Sequence, residues 1–503
     1  MIPSDGCVRS SATPGPRRLV LPLLSAALLL ALAGLAHGYT ADDAFITGRY
    51  AQRLAGGLGY TFRDGPATDG VTGPLWLFIE TLFAWLEVDP VDSSKVLGAL
   101  SAALALGCVM RRIETQALGR TTRFVFLAFV ALSILLATNA QSGLETGFAT
   151  LVMTLAWLEA SSPKPRAPLL AITLFTMPWL RPECVPAALT VLALFLSREA
   201  SPRNTRIAVV GMAGLGLASI AFFRIALFGT ALPLSAQAKP ADFAQGLNYA
   251  LASLSVAFGM LLLPLLVAAR SNTTHAWLAA VLLVHTLAVI VAGGDWMPGA
   301  RLFMPLTPLV LYLAALGVTH SLARKNIKHG LARRTRNLRI AGVLLFAFAL
   351  TPQAILGVDA MVESGNVARS RALGGEALRQ HLRTHAHSVA LIDIGFLSYE
   401  SDFDVTDLAG VTDPSIGRRE GAHCSKPVTI DELLARGVDT LVVHSSVEPR
   451  IDDQGRVRHI AAHPTEMRLL SQPSAMEHFA VTEVVQYAPH YWYVVLQARG
   501  HGE

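Results

Sequence analysis

Long apolar runs alternate with short polar segments along most of this chain. Each run approaches the length that crosses ~30 Å of hydrocarbon, so each is predicted to be a membrane-spanning helix. The eleven runs cover residues 19–38, 95–110, 124–138, 146–160, 167–180, 184–197, 207–228, 246–269, 275–292, 301–322 and 340–357. A further run, Pro74–Val88, has only 15 residues and is interpreted as a re-entrant or surface helix. The pattern predicts a mostly α-helical polytopic bundle of about eleven spans.

The pattern changes after residue 357, where the composition becomes that of an ordinary soluble domain. Short apolar segments there read as buried strands, and a helical pattern ends at a glycine. The predicted strands are Val389–Ile394, Thr440–His444 and Trp492–Leu496, and the predicted helix is Ile430–Arg436, ended by Gly437. We therefore expect two domains, a transmembrane domain at 1–357 and an α/β domain at 358–503.

Charge is sparse and placed asymmetrically. Only 15% of residues are charged and the mean hydropathy is +0.46, which excludes an ordinary soluble protein. The pI is about 9.1, but the basic residues lie in short loops between spans, so the positive-inside rule explains them and nucleic-acid binding is not expected. The strongest basic cluster is Arg324, Lys325, Lys328, Arg333, Arg334, Arg336 and Arg339.

Sidedness follows from that charge pattern. With a cytoplasmic N-terminus, every basic loop falls inside, and the acidic loops and the α/β domain fall outside the membrane. Arg17-Arg18 and the apolar run after them also fit a signal peptide, but Leu35-Ala36-His37 is a poor cleavage site, so an uncleaved first helix is favoured. We expect a multi-pass protein of the cell inner (plasma) membrane.

The first outer loop carries the richest chemistry. Thr40 is predicted to cap a helix that begins at Ala41, with Asp43 at its third position. Helical spacing places Asp42 on one face with Phe45, Ile46, Arg49 and Arg53. A carboxylate beside a cation suits a general base next to a phosphate binder. The alternative is that both aspartates only favour the positive end of the helix dipole.

Other outer segments add acids, cations and an indole. Arg181 and Glu183 lie two residues apart, and a local ion pair is the alternative to a functional role for them. Glu145 precedes a span and either complements the helix dipole or binds substrate. Gly293-Gly294 gives the backbone freedom to bring Asp295 close to other loops. Trp296 either stacks on a sugar or anchors at the membrane interface.

These segments together resemble a known family. The first outer loop is similar to the first periplasmic loop of GT-C glycosyltransferases, most of all to the terminal arabinofuranosyltransferase group. The matching segments are Asp42–Ile46, Arg49–Ala51, Gly57–Tyr60, Asp69–Trp76, Ser142–Thr146, Leu180–Glu183, Gly293–Pro298 with Arg301, and Asp407–Pro414. The matches occur in order along the chain, which makes the resemblance specific.

The resemblance implies transfer of a sugar, arabinofuranose among the candidates, from a polyprenyl-phosphate donor to an acceptor hydroxyl outside the membrane, with inversion. One carboxylate must take the acceptor's proton, and cations must stabilise the phosphate left on the lipid. Asp42 is the first candidate for the base and Asp43 the second. The expected substrate-binding set is Arg49, Glu145, Arg181, Glu183, Lys239, Asp295, Trp296 and Arg301, of which Arg49, Lys239 and Arg301 are the foremost phosphate binders.

The expected partners are the lipid-linked donor, membrane lipids, and a cell-envelope glycan, lipid or protein as acceptor. No metal site is predicted, although some GT-C enzymes use a divalent cation and Asp42 with Asp43 could hold one. A transporter or lipid flippase is the main alternative. Such carriers need ionisable groups or broken helices at mid-depth, and mid-span charges are almost absent here. A non-catalytic scaffold would leave the acids of four separate outer loops unexplained.

Overall fold

The computed structural model describes residues 19–198, 201–239, 242–295, 297, 299–327, 355, 359, 362 and 365–499, with the side chains of the 299–327 range described as far as 321. Trp296, the predicted domain boundary after 357 and all but one residue of the predicted span 340–357 lie outside these residues. So do the basic residues from Lys328 to Arg339 and the side chains of Arg324 and Lys325.

Helices make up nearly all of the first domain. They are α1 (Val20–Leu35), α2 (Asp42–Ala55), α3 (Pro74–Trp85), α4 (Pro90–Thr115), α5 (Arg120–Ala131), α6 (Ile134–Ala140), α7 (Thr146–Ala160), α8 (Ala167–Leu180), α9 (Val185–Ser197), α10 (Arg203–Phe228), α11 (Leu234–Ala238), α12 (Phe243–Ala257), α13 (Leu262–Ala269), α14 (Thr273–Val291) and α15 (Thr307–Ile327). Short 3₁₀ turns at Pro182–Cys184, Gly259–Leu261 and Arg301–Leu306 precede α9, α13 and α15.

The described helices include several that are long and apolar enough to cross a membrane. By length and composition, α4, α10, α14 and the run Arg301–Ser321 qualify on their own. Two bent pairs qualify together: α5 with α6 at 57°, and α12 with Gly259–Ala269 at 86°. The predicted spans 124–138 and 246–269 are therefore bent rather than straight. Five shorter apolar helices accompany them, so the chain is a multi-pass membrane protein, and the count of about eleven spans stays a prediction.

Glycines let helices of the bundle approach closely. A Cβ added at Gly98 of α4 would lie 2.1 Å from the backbone oxygen of Ala140, and one at Gly147 of α7 would lie 2.1 Å from that of Gly98. Small residues serve such close crossings in lipid, where packing replaces hydrophobic burial as the driving force. This crossing fixes the N-terminal end of α7, and with it Glu145, against the first half of α4.

The second domain contains a mixed five-stranded sheet. Its strands are β1 (Ser388–Leu391), β2 (Asp404–Asp407), β3 (Thr440–Ser445), β6 (Phe479–Ala488) and β7 (Tyr491–Ala498), in the order β2-β1-β3-β7-β6, and β4 (Arg450–Ile451) and β5 (Val457–His459) form a separate ribbon. Strands β1, β2 and β3 run parallel, and the pairs with β7 are antiparallel. Helices at Glu376–His385, Pro414–Gly417, Ile430–Ala435, Pro464–Ser471 and Pro473–His478 accompany the strands.

The predicted α/β domain is thereby confirmed. Strands β1, β3 and β7 and the helix Ile430–Ala435 lie where the sequence predicted them, and Gly437 ends that helix with φ +73°. Strand β2 was not predicted because its sequence, Asp-Val-Thr-Asp, is short and mostly polar. Strand β6 was also missed, because its sequence, Phe-Ala-Val-Thr-Glu-Val-Val-Gln-Tyr-Ala, does not alternate regularly between apolar and polar residues.

A small apolar cluster joins the two domains. Its buried members come from α2 and its N-cap, the start of α4, and the loops before α7, after α14 and after β1. They are Ala41, Ala44, Val91, Leu144, Met297 and Tyr399, with Phe45 packed against them. We call this set the junction cluster. Because it gathers loops that are far apart in sequence, it brings their polar residues to one place.

Candidate active site

Helix α2 begins one residue later than the sequence suggested. Its N-cap is Ala41, and no side chain caps it. The Thr40 hydroxyl instead accepts a hydrogen bond from Lys95 Nζ at 3.1 Å, so the predicted Thr40 cap is wrong. Asp42 and Asp43 consequently occupy the first turn, where the helix dipole favours negative charge.

Asp42 is bound to the second domain. Its Oδ2 accepts the backbone N–H of Gly395 and its Oδ1 that of Phe396, both at 3.0 Å. Arg371 Nη2 lies 3.5 Å from Oδ1. Although 31% of the side chain still reaches solvent, burial, with the nearby charge of Asp393 adding to it, outweighs Arg371 and raises the pKa of Asp42 to about 6. Both oxygens of Asp42 therefore serve the contact between domains.

Asp43 points the other way, into what we call the Arg301 cluster. Arg301 Nη1 lies 3.5 Å from the Asp43 carboxylate, and Arg301 also pairs with Asp295 through Nε and, at 3.3 Å, through Nη2. Exposure differs sharply, because 31% of the Asp43 side chain is accessible but only 5% of that of Asp295. Burial opposes ionisation of Asp295, yet Arg301 lowers its pKa below the usual value. Asp43 is thus the most loosely held acid of the cluster.

This divergence also bears on a divalent cation. The Asp42 carboxylate faces backbone amides and the Asp43 carboxylate faces a guanidinium. The two groups therefore do not converge on a common point, as ligands of a shared cation would. The arrangement does not fit a cation held by this pair.

Two glycines bring Asp295 into the cluster. Gly293 and Gly294 follow helix α14 with φ +86° and φ +73°, in the left-handed region that favours glycine. A Cβ on Gly294 would lie 2.7 Å from Cβ of Tyr249, so a side chain would not fit there. The role inferred for this glycine pair from the sequence agrees with the observed geometry. Trp296, the next residue after Asp295, lies outside the described part of the chain.

A second cluster centres on Arg181, which is only 2% exposed. Its Nε lies 3.0 Å from Glu145 and its Nη1 lies 2.8 Å from Glu183, while Nη2 donates to the Thr146 hydroxyl at 2.8 Å. One guanidinium therefore faces two carboxylates, and the cluster keeps a formal charge of −1. The local ion pair considered from the sequence is present, and it includes Glu145 as well.

Arg49 connects the two domains and does not face the Arg301 cluster. Its guanidinium donates to the carbonyls of Phe62 at 2.9 Å and Phe403 at 3.1 Å, to the Ser401 hydroxyl at 2.7 Å, and to the carbonyl of Ser398. The residue is 4% exposed, and burial lowers its pKa to about 10. With its donors already engaged by the protein, Arg49 has a structural position rather than that of a phosphate binder.

Lys239 and Tyr39 border the Arg301 cluster. Lys239 follows α11 and lies close enough to Asp295 to help lower the pKa of that acid. Tyr39 was not singled out from the sequence, although it lies three residues before Asp42 in the same loop. Burial raises the pKa of its phenol, whereas the charges of Arg301 and Arg371 act in the opposite direction. Tyr39 therefore adds a neutral hydroxyl beside Asp43 and Asp295.

The motif Asp407–Pro414 forms a turn that meets the first outer loop. The Asp407 carboxylate accepts the backbone N–H groups of Ala409, Gly410 and Thr412 at 2.9, 3.0 and 2.7 Å, and the Thr412 hydroxyl at 3.0 Å. A Cβ on Gly70 would lie 2.9 Å from Thr412 Cγ2, so the two loops are in close contact. This part of the family-like pattern docks the second domain onto the first.

Taken together, the geometry offers a partly exposed carboxylate next to cations. Asp43 can accept a proton, and Arg301 and Lys239 lie where they can neutralise a phosphate that approaches Asp43 and Asp295. The Arg181 cluster lies close by, since Arg301 and Arg181 influence one another electrostatically. The structure brings Asp43, Asp295 and Arg301 from distant loops into contact, and their role in binding or catalysis stays a prediction.

Comparisons with known proteins identify a similar fold and a matching family model for part of the chain. Residues 363–495 match a family model described as "Domain of unknown function (DUF8728)". No curated protein matches the sequence. Among solved structures, the chain is similar to ArnT from Cupriavidus metallidurans, whose crystal structure is bound to undecaprenyl phosphate, with a TM-score of 0.53 and 11% identity over 97% of this chain and 100% of ArnT. The chain therefore has an ArnT-like fold: a membrane helix bundle followed by an α/β domain.

Proposed function

We propose that this protein is a membrane glycosyltransferase that takes its sugar from a polyprenyl-phosphate donor. The fold supports this, because the structural neighbour ArnT was crystallised with undecaprenyl phosphate bound, and the outer loops of this chain resemble those of GT-C glycosyltransferases. The observation that carries the proposal is the meeting of Asp43 and Arg301, which lie 258 positions apart in the sequence. A catalytic pair drawn from distant outer loops fits a lipid headgroup that reacts at the membrane surface.

The chemistry assigns a role to each group. An acceptor hydroxyl loses its proton to Asp43 as its oxygen attacks the anomeric carbon of the donor sugar. The bond between that carbon and the phosphate oxygen breaks on the opposite face, so the configuration inverts. The electron pair stays with the polyprenyl phosphate, whose charge Arg301 and Lys239 stabilise.

Asp43 replaces Asp42 as the first candidate for the base. Asp42 offers both oxygens to backbone amides of the second domain, whereas the Asp43 carboxylate has, among the described side chains, one contact with Arg301 at 3.5 Å. A base must lie within hydrogen-bonding distance of the proton that it removes, and the Asp43 carboxylate still has lone pairs available for that hydrogen bond. Asp42 then acts as a positioning residue that holds the first turn of α2 in place.

The acid clusters suit the remainder of the substrate. Glu145, Glu183 and Asp295 present carboxylates that can accept hydrogen bonds from sugar hydroxyls, although each also pairs with an arginine. The sequence resemblance makes arabinofuranose one candidate for the sugar, and a cell-envelope glycan, lipid or protein the candidate acceptor. Transfer would take place on the outer side of the inner membrane.

The test is transfer of labelled sugar from a polyprenyl-phosphate donor by protein purified in detergent, under single-turnover conditions. Asp43→Asn should lower the rate by about 10²–10⁴-fold, the usual contribution of a general base. Asp42→Asn should retain most of the rate in the fraction that stays folded. Asp64→Asn is the matched control, since Asp64 is 90% exposed and pairs with Arg53 on the surface.

The results separate the candidates. Full activity of Asp43→Asn would remove Asp43 as base, and selective loss in Asp42→Asn with intact folding would restore Asp42. If the wild-type protein consumes none of a panel of lipid-phosphate sugars but moves a labelled lipid across vesicles, the transferase proposal fails in favour of a flippase.

A further inference from the structure

The second domain carries a group of ligand-type side chains that are not members of the Arg301 cluster. His444 lies in β3 near its carboxyl end, at the edge where parallel strands of open α/β sheets usually bind ligands. His463 and Glu466 lie at the start of the helix Pro464–Ser471. One ligand atom from each of His444, His463 and Glu466 lies within 4.8 Å of the others. We call this group the histidine cluster.

Burial and unsatisfied polarity distinguish this cluster from surface histidines. His444 is 9% exposed and Glu466 is 1% exposed. Nδ1 of His444 is buried, and among the described residues it has no hydrogen-bond partner. The His444 and His463 rings lie with centroids 4.9 Å apart. A buried ring nitrogen without a partner is costly unless something binds it.

The backbone holds the carboxylate in place. Glu466 Oε1 accepts the N–H of His444 at 3.0 Å, and Oε2 accepts that of His463 at 2.9 Å. Each oxygen keeps a further lone pair. A cation placed beside Glu466 would therefore find a carboxylate that the backbone already orients toward His444 and His463.

We propose that the histidine cluster binds one divalent transition-metal ion of the zinc class. The ligands would be a ring nitrogen of His444, a ring nitrogen of His463 and a carboxylate oxygen of Glu466. Two imidazoles favour zinc and its neighbours over magnesium or calcium, which prefer oxygen ligands. Small side-chain rotations bring such ligands to the usual ~2.0–2.2 Å, and three protein ligands leave one position of a tetrahedral ion for water.

The histidine cluster is connected by side-chain contacts to the loop that binds Asp42. The His444 ring packs on Tyr491 with centroids 4.3 Å apart, and the Tyr491 hydroxyl donates to Asp393. Asp393 lies two residues before Gly395, which holds Asp42. An ion at the histidine cluster would therefore stiffen the edge of the second domain that rests on helix α2.

The test measures metal directly and needs no sugar donor, so it is independent of the proposed transfer activity. The full-length protein is purified in detergent without metal-affinity steps, treated with a chelator, given Zn²⁺ and desalted. Elemental mass spectrometry should find about one zinc per chain. His444→Ala with His463→Ala should lose it, while the exposed histidines provide the control, since His459→Ala with His478→Ala should keep it.

Two further measurements distinguish the loss of a metal ligand from misfolding of the variant. Co²⁺ in place of Zn²⁺ should give the visible absorption of a tetrahedral site in the wild type and in the control. Glu466→Gln should weaken zinc binding at least tenfold while the far-UV circular dichroism stays unchanged. Wild-type protein that binds no zinc, or a folded His444→Ala, His463→Ala variant that keeps one ion, would overturn the proposal.

Discussion

Asp42 and Gly395 lie 353 positions apart in the sequence, yet the Asp42 carboxylate accepts the Gly395 backbone N–H at 3.0 Å. This bond joins the first turn of α2 to the loop after β1. Arg371 approaches the same carboxylate, and its guanidinium lies 5.0 Å from the Phe45 ring centre. Two adjacent aspartates thus take different roles, because one fastens the domains together while its neighbour Asp43 faces the Arg301 cluster.

Gly395→Ala should loosen this junction. An added Cβ would lie 2.2 Å from Asp42 Oδ2 and 2.3 Å from its backbone oxygen, distances that require one of the two segments to move. We expect a loss of about 1–3 kcal/mol in stability, the usual cost of overpacking. The midpoint of thermal unfolding in detergent measures it, and limited proteolysis shows whether the second domain is released.

Gly365→Ala is the control for that variant, because no atom of the described residues lies within 4 Å of the Cβ position at Gly365. It should unfold at nearly the wild-type temperature. Equal stability of Gly395→Ala and Gly365→Ala would show that the Asp42–Gly395 contact does not join the domains in solution.

The pKa of Asp42 leads to a pH-dependent stability. Its folded-state pKa is raised to about 6, above the ~3.9 of an unfolded aspartate. Between these values the folded chain binds more protons than the unfolded chain, so this group's contribution to stability falls as pH rises through the window. The asparagine side chain of Asp42→Asn does not titrate, so the comparison with this variant isolates the contribution of Asp42. Between pH ~4 and pH ~7, the unfolding temperature of the wild type should therefore fall relative to that of Asp42→Asn. A difference that stays constant, or moves in favour of the wild type, would contradict this.

The sequence predicted the architecture well where the signal was periodic and local. The apolar runs up to residue 322 are helical in the described part of the chain, and strands β1, β3 and β7 were found because their apolar residues are contiguous. The bends at 57° and 86° were missed because the breaks between the helix pairs do not interrupt apolarity. A hydropathy pattern reports which segments prefer lipid, and it does not report whether a segment is straight.

The sequence predicted which residues belong to the candidate site better than it predicted which groups those residues contact. Spacing on α2 correctly placed Asp42, Phe45 and Arg49 on one face, since all of them contact the second domain. What that face meets depends on contacts more than 300 positions away, which one sequence does not reveal. Asp295 was placed near other loops because its glycines signalled a backbone reversal, a local feature that a sequence does show.

Arg49→Lys should lower stability without weakening donor binding. A lysine offers a compact ammonium in place of the planar fork that reaches Phe62, Ser401 and Phe403, so buried carbonyls lose partners. The expected cost is about 1–3 kcal/mol. Thermal unfolding measures stability, and the KM for the lipid donor measures binding in the folded fraction.

Arg53→Lys, one turn along the same helix, is the control and should change stability by less than about 1 kcal/mol, because Arg53 pairs with an exposed Asp64. A raised KM with unchanged stability would return Arg49 to the phosphate site.

Arg181→Gln should be among the most destabilising single changes in the bundle. It leaves Glu145 and Glu183 close together without the buried guanidinium that neutralises one of them. Removing one partner of a buried ion pair costs about 3–5 kcal/mol, mostly from the charge left behind. Adding Glu145→Gln and Glu183→Gln to the same chain should restore much of the unfolding temperature, since no uncompensated charge remains.

The surface pair of Arg458 and Asp452 is the comparison, and Arg458→Gln should have little effect. If the triple variant is no more stable than Arg181→Gln, the cost arises from lost packing and not from charge.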